Sequence, residues 1–383
     1  MVIGGMSVLS GTVGSISQFW FVLGISFISG LAGTLLCRKI ALRTGIVDKP
    51  DDSVKTHTEA VAYLGGIGIF IGFVIGILTA IFYLRTEPYF ADALKLLIGI
   101  LFAGLLGCLT GAADDIYDIK PWQKISGQVT AAFALAVVGI KPNLVFITEV
   151  TGRQIHPAVE TAAGFIITLI FVLGATNSLN LLDGLDGLCG GVSVVTALGM
   201  LVLAILIKSQ GAGEFEGEIR IVVALGLIGG VCGFLPLNLN PAKIFMGDAG
   251  SLFLGVIFAS LMMLFAAENP LWTLCSIVIF GLPILDTAVA FARRRLNKRP
   301  FFVPDRGHVY DQMMDRGMSL KRTVMTCCCL AGVYGFIGIV MSRMKLIYSL
   351  AVFAGVIIIS GLIVWKKDFL KMEGLRGAIQ KEN

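Results

Sequence analysis

The chain has 383 residues, 56% hydrophobic and 14% charged, with a formal net charge of +5, and its mean hydropathy is +0.88. That balance excludes an ordinary soluble domain. The modest positive charge is accounted for by basic segments flanking a membrane and gives no argument for nucleic acid as a partner.

Residues 1–17 carry no Lys or Arg, so they lack the positive n-region of a signal peptide and read as an extracytoplasmic N-terminal segment. Apolar stretches follow, each of about 18 to 22 residues and so long enough to cross a hydrocarbon core of roughly 30 Å as a helix. Eleven are expected, near residues 18–38, 64–84, 93–111, 125–140, 161–178, 188–207, 220–236, 250–267, 271–291, 321–341 and 346–365. The fold class is therefore an all-α polytopic membrane protein. Residues 18–365 form one membrane domain, and residues 366–383 a basic cytoplasmic tail. Lys and Arg concentrate in the connections after the odd-numbered spans, which places those connections in the cytoplasm, the N-terminus outside and the C-terminus inside. A multi-pass protein of the inner, cytoplasmic membrane is expected. The outer connections are short except for residues 141–160, whose alternating pattern from Asn143 fits a small hairpin turning at Gly152. The eight cysteines fall in or beside spans with no Cys-x-x-Cys pair, which speaks against a disulfide or zinc centre and for small packing residues.

Polar clusters at the cytoplasmic ends of the spans carry the functional argument, because polar groups at membrane depth are expensive and line cavities or bind something. After the third span stand Asp114, Asp115 and Asp118. On a continuing helix they crowd one edge and repel unless a cation sits there. Hard oxygen ligands suit Mg²⁺, with Mn²⁺ as an alternative. Standing alone, the same acids also fit helix capping.

The fifth span ends in Asn177, Asn180, Asp183 and Asp186, repeating every third residue. On an unbroken helix Asn177 and Asp186 would face opposite ways. Gly184 and Gly187 are expected to break the helix and let these side chains converge. Between spans seven and eight, Asn238 is followed by Phe245-Met-Gly-Asp248-Ala-Gly-Ser251, a glycine-punctuated loop suited to close backbone approach. The helix after it would offer unpaired N–H groups to an anion, and Asp248 could instead cap that helix. After the ninth span comes a basic connection with Arg294, Arg295, Arg306 and His308. Arg and Lys there suit anionic lipid as well as substrate phosphate.

In this order the motifs Asp-Asp-x-x-Asp, Asn-x-x-Asn-x-x-Asp-Gly-x-Asp-Gly, Asn-x-x-Pro-Ala-x-x-Phe-Met-Gly-Asp-x-Gly-Ser and Arg-Arg…Pro-Asp-Arg-x-His resemble those of the polyprenyl-phosphate N-acetylhexosamine-1-phosphate transferases. The match extends to Asp48-Lys-Pro50…Lys55-x-His57…Gly65-Gly66. It implies transfer of a sugar 1-phosphate from a UDP-sugar to polyprenyl phosphate, with release of UMP, dependence on Mg²⁺ and a cytoplasmic site. Eleven spans and an inside tail look like the branch that uses UDP-N-acetylglucosamine to begin a surface glycan such as teichoic acid or O-antigen lipopolysaccharide. Implied partners are the UDP-sugar, undecaprenyl phosphate and membrane lipids, with no nucleic acid; a homodimer is compatible with the pattern.

The resemblance implies a metal and diphosphate centre of Asp114, Asp115 and Asp248, with Asp183 beside it, and a catalytic part for His308. It gives Asn180, Asp183 and Asp186 to the nucleotide and Phe245 to stacking on uracil. It gives Lys124, Asn238 and Arg294 or Arg295 to the phosphates, and Lys55, Asp118, Asn177 and Arg306 to substrate contacts. The chain departs from the branch in two places. It reads His308-Val-Tyr310-Asp311 where a His-x-His-His is usual, and Ala60-Val-Ala62-Tyr63 replaces a proline-rich approach to the Gly-Gly pair. Both bear on the donor sugar, so another UDP-N-acetylhexosamine, including UDP-MurNAc-pentapeptide, is the alternative. A membrane transporter fits less well, because its ionisable groups would lie near the midplane on interrupted helices.

Overall fold

A computed structural model of the chain describes residues 18–48, 61–145, 156–209, 214–298 and 307–370, together with the single positions 152 and 154. The N-terminal segment, Lys55, Arg306, most of the expected hairpin and nearly all of the basic tail lie outside the described residues.

The architecture is helical, as the hydropathy requires. In chain order the elements are α1 (Trp20–Thr44), β1 (Val47–Asp48), β2 (Val61–Ala62), α2 (Gly65–Leu84), α3 (Phe90–Tyr117), α4 (Pro121–Val137), α5 (Pro157–Leu182), α6 (Leu188–Lys208) and α7 (Glu214–Asn238). They continue with α8 (Gly247–Ala266), α9 (Pro270–Ile279), α10 (Gly281–Leu296), α11 (Val309–Asp315), α12 (Leu320–Met341) and α13 (Leu346–Lys366). Each expected span overlaps helical residues, the ninth overlapping two helices, α9 and α10. Among the described residues nine helices are long and apolar enough to cross a membrane, or ten with the pair α9 and α10, which bends by 71°. The fourth expected span, α4, has 17 residues, about 26 Å of helix at ~1.5 Å per residue, and falls short of that test.

Helix α8 is the centre of the bundle, and of its 20 residues only Asp248 is not buried. It packs chiefly against α3, α5 and α2. Helices α1, α2 and α7 form a second tight group, in which the backbones meet at Gly30, Gly72 and Gly230 with no room for side chains. Without a hydrophobic force between helices in lipid, such small-residue contacts let van der Waals packing hold them together. The periphery is α13, where only Ser349 and Val364 are buried. Ile347, Ile358, Ile359 and Trp365 project outward from it, as a lipid-facing helix demands.

Among the described residues the one feature foreign to an all-α reading is a two-stranded antiparallel sheet pairing Val47 with Ala62 and Asp48 with Val61. A parallel bridge from Ala62 to Ile244 extends it, and the Phe245 N–H donates to the Ala62 carbonyl at 2.8 Å. The segment between α1 and α2 is thereby tied to the Phe245–Asp248 loop.

At the end of the bundle away from the polar motifs, the fully buried Arg220 pairs with Glu268 at 2.7 Å. It also donates to the Leu264 carbonyl at 3.0 Å. Lys208 pairs with Glu218 at 2.7 Å, and the Tyr89 hydroxyl donates to the same carboxylate. These contacts lash α6, α7, α8 and the start of α3 together. Arg220→Ala leaves Glu268, which is partly exposed, without its cation, so the cost is expected to fall below the ~3–5 kcal/mol of a fully buried pair. Thermal unfolding of the detergent-solubilised protein reads this as a lower midpoint.

Candidate active site

The polar motifs converge at one end of the bundle because α3 and α5 end there and α8 begins there. Asp114 and Asp115 occupy the last turn of α3. Asp183 follows the last residue of α5, and Asp248 is the second residue of α8. Three helix ends thus deliver four carboxylates to one place.

Asp115 is fixed by the backbone. Its Oδ1 accepts the Asp248 N–H at 2.8 Å and its Oδ2 the Ala249 N–H at 3.0 Å. The first N–H groups of a helix lack intrahelical partners and carry the positive end of its dipole, so a carboxylate from another helix satisfies both needs. The N–H groups expected to meet a substrate anion are therefore taken by an internal one. The fit requires glycine at Gly247, whose φ is +70° and where an added Cβ would run into the Asp115 carboxylate. A Cβ at Gly111 would strike the Asp248 carbonyl, and one at Gly66 the Gly250 backbone. The start of α8 is seated between α2 and α3 by the absence of side chains.

Lys124 lies at the centre. Its Nζ donates to Asp114 Oδ2 at 3.0 Å, to Asn180 Oδ1 at 3.2 Å and to Asp248 Oδ2. Asn180 Nδ2 donates to Asp248 Oδ1 at 2.6 Å and to Ser251 Oγ at 3.1 Å, and Asp114 Oδ1 accepts the Ile119 N–H at 3.1 Å. Asp183 is within electrostatic reach of Asp248, Asp115 and Asp186. Burial first, and those carboxylates second, push its carboxyl up to about 8, partly offset by a hydrogen bond from the Gly247 backbone. With Asp183 largely protonated near neutral pH, Asp114, Asp115 and Asp248 still outnumber the one ammonium among the described residues, so the cluster favours a further cation.

The other expected residues are placed as follows. Asp186 Oδ2 accepts from Asn240 Nδ2 at 2.9 Å and from the Ala242 N–H at 3.0 Å. Asn238 is buried and accepts the Gly187 N–H at 3.0 Å while donating to the Ile244 carbonyl at 3.0 Å. These two side chains clamp the loop after α5 to the loop after α7, which holds the Asp183 and Asp248 motifs in register. Asn177 donates to the Leu173 carbonyl of its own helix at 2.8 Å. Asp118 is exposed, has φ of 48° and closes α3 through its N–H to the Asp114 carbonyl. Phe245 is partly buried and meets Tyr63 edge to face at 5.9 Å. Arg294 is buried and Arg295 exposed in the last turn of α10.

His308 caps the start of α11, and its Nδ1 lies 2.8 Å from Asp286 Oδ2. Its ring stacks on Tyr310 with centroids 5.4 Å apart and planes at 7°. The Tyr310 hydroxyl donates to the Leu181 carbonyl at 3.0 Å, and the phenol fills the space a side chain at Gly184 would need. His308 and Tyr310 are thus docked on the bend that carries Asp183. Asp286 was not among the expected site residues. Its signal was present, since it is the single charged residue between Pro270 and Ala292, and an ionisable group inside a span is a functional candidate by default.

Residues 97–266 match the family described as Glycosyl transferase family 4, a stretch that holds the α3, α5 and α8 acids. The chain is 31% identical over 358 residues to the probable undecaprenyl-phosphate N-acetylglucosaminyl 1-phosphate transferase of Bacillus subtilis, covering 92% of this chain and 91% of that one. It is 28% identical over 335 residues to the undecaprenyl-phosphate alpha-N-acetylglucosaminyl 1-phosphate transferase of Yersinia pestis, covering 84% of each. It is 27% identical over 317 residues to the decaprenyl-phosphate N-acetylglucosaminephosphotransferase of Mycobacterium tuberculosis, covering 78% and 76%. Similarity along nearly the whole length of the Bacillus protein, with the acidic motifs gathered at one end of a helical bundle, places the chain in glycosyl transferase family 4, in the branch of the undecaprenyl-phosphate N-acetylglucosaminyl 1-phosphate transferases.

Proposed function

We propose that the protein transfers N-acetylglucosamine 1-phosphate from UDP-N-acetylglucosamine to undecaprenyl phosphate, releasing UMP, at the cytoplasmic face of the inner membrane. The observation that carries the reading is the ring of Asp114, Lys124, Asp248 and Asn180 at the meeting of three helix ends, in a chain with full-length relatives named for that reaction. The cytoplasmic placement rests on the bias of Lys and Arg toward the connections on the side of the acids.

The acceptor needs little help from a base, because a phosphate monoester loses its second proton near pH ~6. The obstacle is bringing one anion against another and holding them in line. In direct attack, an acceptor phosphate oxygen forms a bond to the β-phosphorus of the donor. The bond from that phosphorus to the bridging oxygen breaks, and its electron pair leaves with UMP. Lys124 brings an ammonium to the diphosphate, Asn180 and Asp183 border the nucleotide, and His308 with Arg294 or Arg295 approaches the phosphates from the α10 side. Both oxygens of Asp115 are held by backbone N–H groups, which supports direct attack over a covalent phosphosugar on that aspartate.

The donor set fits Mg²⁺ in its chemistry, being all oxygen with excess negative charge. Among the described residues no three acids or imidazoles stand ready to hold a metal, and Lys124 occupies the place between Asp114 and Asp248. Asp114, Asp115, Asp183 and Asp248 would hold the ion once substrate draws Lys124 toward its phosphates. When bound, Mg²⁺ supplies charge neutralisation of the diphosphate. Chelation by EDTA is expected to abolish turnover and added Mg²⁺ to restore it.

The donor is tested by UMP release from purified protein given undecaprenyl phosphate, Mg²⁺ and, separately, UDP-GlcNAc, UDP-GalNAc or UDP-MurNAc-pentapeptide. Release with UDP-GlcNAc alone is expected. Preference for another donor would refute the sugar assignment.

A further inference from the structure

We propose that Asp286 is a positioning residue for this transfer, holding the His308 ring so that Nε2 is the atom presented to substrate; the inference rests on the transferase reading above. Asp286 is 1% exposed and sits in α10, just past the 71° bend from α9. A carboxylate buried at such a place is costly unless its oxygens are used. Both are. Oδ2 meets His308 Nδ1 at 2.8 Å, and Oδ1 accepts the Val309 N–H at 2.8 Å.

A carboxylate only accepts, so this contact demands a proton on Nδ1 and leaves Nε2 to face a ligand. The ring is restrained on its face as well, by the parallel Tyr310 ring at 5.4 Å. Tyr310 is itself tied to the Leu181 carbonyl at 3.0 Å, two positions before Asp183. In-plane restraint by Asp286 and facial restraint by Tyr310 therefore set His308 relative to the bend carrying the acids. This is the device by which a partner beyond the first contact chooses a histidine's tautomer and direction.

A merely structural Asp286, holding only the start of α11, makes a different prediction from a positioning one. Asp286→Asn keeps the shape but puts an amide N–H where Nδ1–H pointed, so the neutral ring must carry its proton on Nε2 instead. Turnover is expected to fall about 10- to 100-fold with little change in KM for UDP-GlcNAc. In a His308→Ala background the same substitution is expected to change turnover by less than about twofold, since the two residues act as one unit. A loss that persists undiminished in that background overturns the proposal.

A second readout does not depend on activity. The chain has 3 histidines, so ¹⁵N-histidine spectra of the full-length protein are simple, with His308 assigned by its disappearance in His308→Ala. The wild type is expected to bear a proton on Nδ1, moving to Nε2 in Asp286→Asn. An unchanged His308 signal overturns the proposal. A moved signal in a protein that releases no UMP with any donor supports the Asp286–His308 pairing and counts against the transferase reading instead.

Discussion

Lys124→Met is expected to reduce turnover by about 10²- to 10³-fold, the scale seen when one pre-placed donor of transition-state charge is removed. Among the described residues the side chain is the single ammonium at the four acids of the cluster, within 3.0 Å of Asp114 and 3.2 Å of Asn180 and bonded to Asp248. Methionine keeps the length of the stem and removes the charge. Two consequences follow together. Asp114 and Asp248 face each other uncompensated, and the diphosphate loses a fixed cation. Extra Mg²⁺ bound between those acids relieves the first and not the second, so turnover is expected to stay low at any Mg²⁺ concentration. Steady-state UMP release across an Mg²⁺ series checks this, and full recovery at high Mg²⁺ would mean that Lys124 only screens the acids.

Asp115→Asn is expected to have an effect of similar size, about 10²- to 10³-fold on turnover, by another route. Asp115 receives two backbone N–H groups from the start of α8 at 2.8 and 3.0 Å. An asparagine has one acceptor oxygen, so its amino group must face one of those N–H groups. Loss of such a cap costs about 0.5–2 kcal/mol in stability, and Asp248 moves with the helix end that carries it. The half-saturating Mg²⁺ concentration separates the roles: it rises if Asp115 also holds the ion, and stays put if Asp115 acts only through the seat of α8. Wild-type turnover at saturating Mg²⁺ would remove Asp115 from the centre altogether. Gly247→Ala makes an independent check, since its methyl group would collide with the same carboxylate. It is expected to lower turnover without altering any charge.

What could be read in the sequence was governed by the range of the interactions involved. Transmembrane helices declare themselves by local hydropathy, so the expected spans overlap helices, the ninth a bent pair, and the acids near residues 114, 183 and 248 could be seen to share one side. The bend at Gly281 leaves only a short local signal, Gly281 and Pro283 two residues apart, which hydropathy averaged over the 271–291 stretch does not register. The work of Asn238 and Asp186 was not legible: they join loops about 50 residues apart in the chain and brace the site by contacts that no local pattern encodes. The link from Ala62 to Ile244 is of the same kind. Asp286 was legible and overlooked: a lone carboxylate in an apolar span needs a partner, and His308, 22 positions on, is that partner.

The central claim is that sugar and β-phosphate move together to a lipid. It is tested most directly by giving the purified protein undecaprenyl phosphate, Mg²⁺ and UDP-N-acetylglucosamine labelled with ³²P at the β-phosphate and ¹⁴C in the sugar, then measuring both labels in the organic-extractable lipid. Equal transfer of the two labels, dependent on the acceptor and absent in Lys124→Met, is the predicted result. Sugar label reaching lipid without phosphorus, or neither label reaching it, would contradict the account.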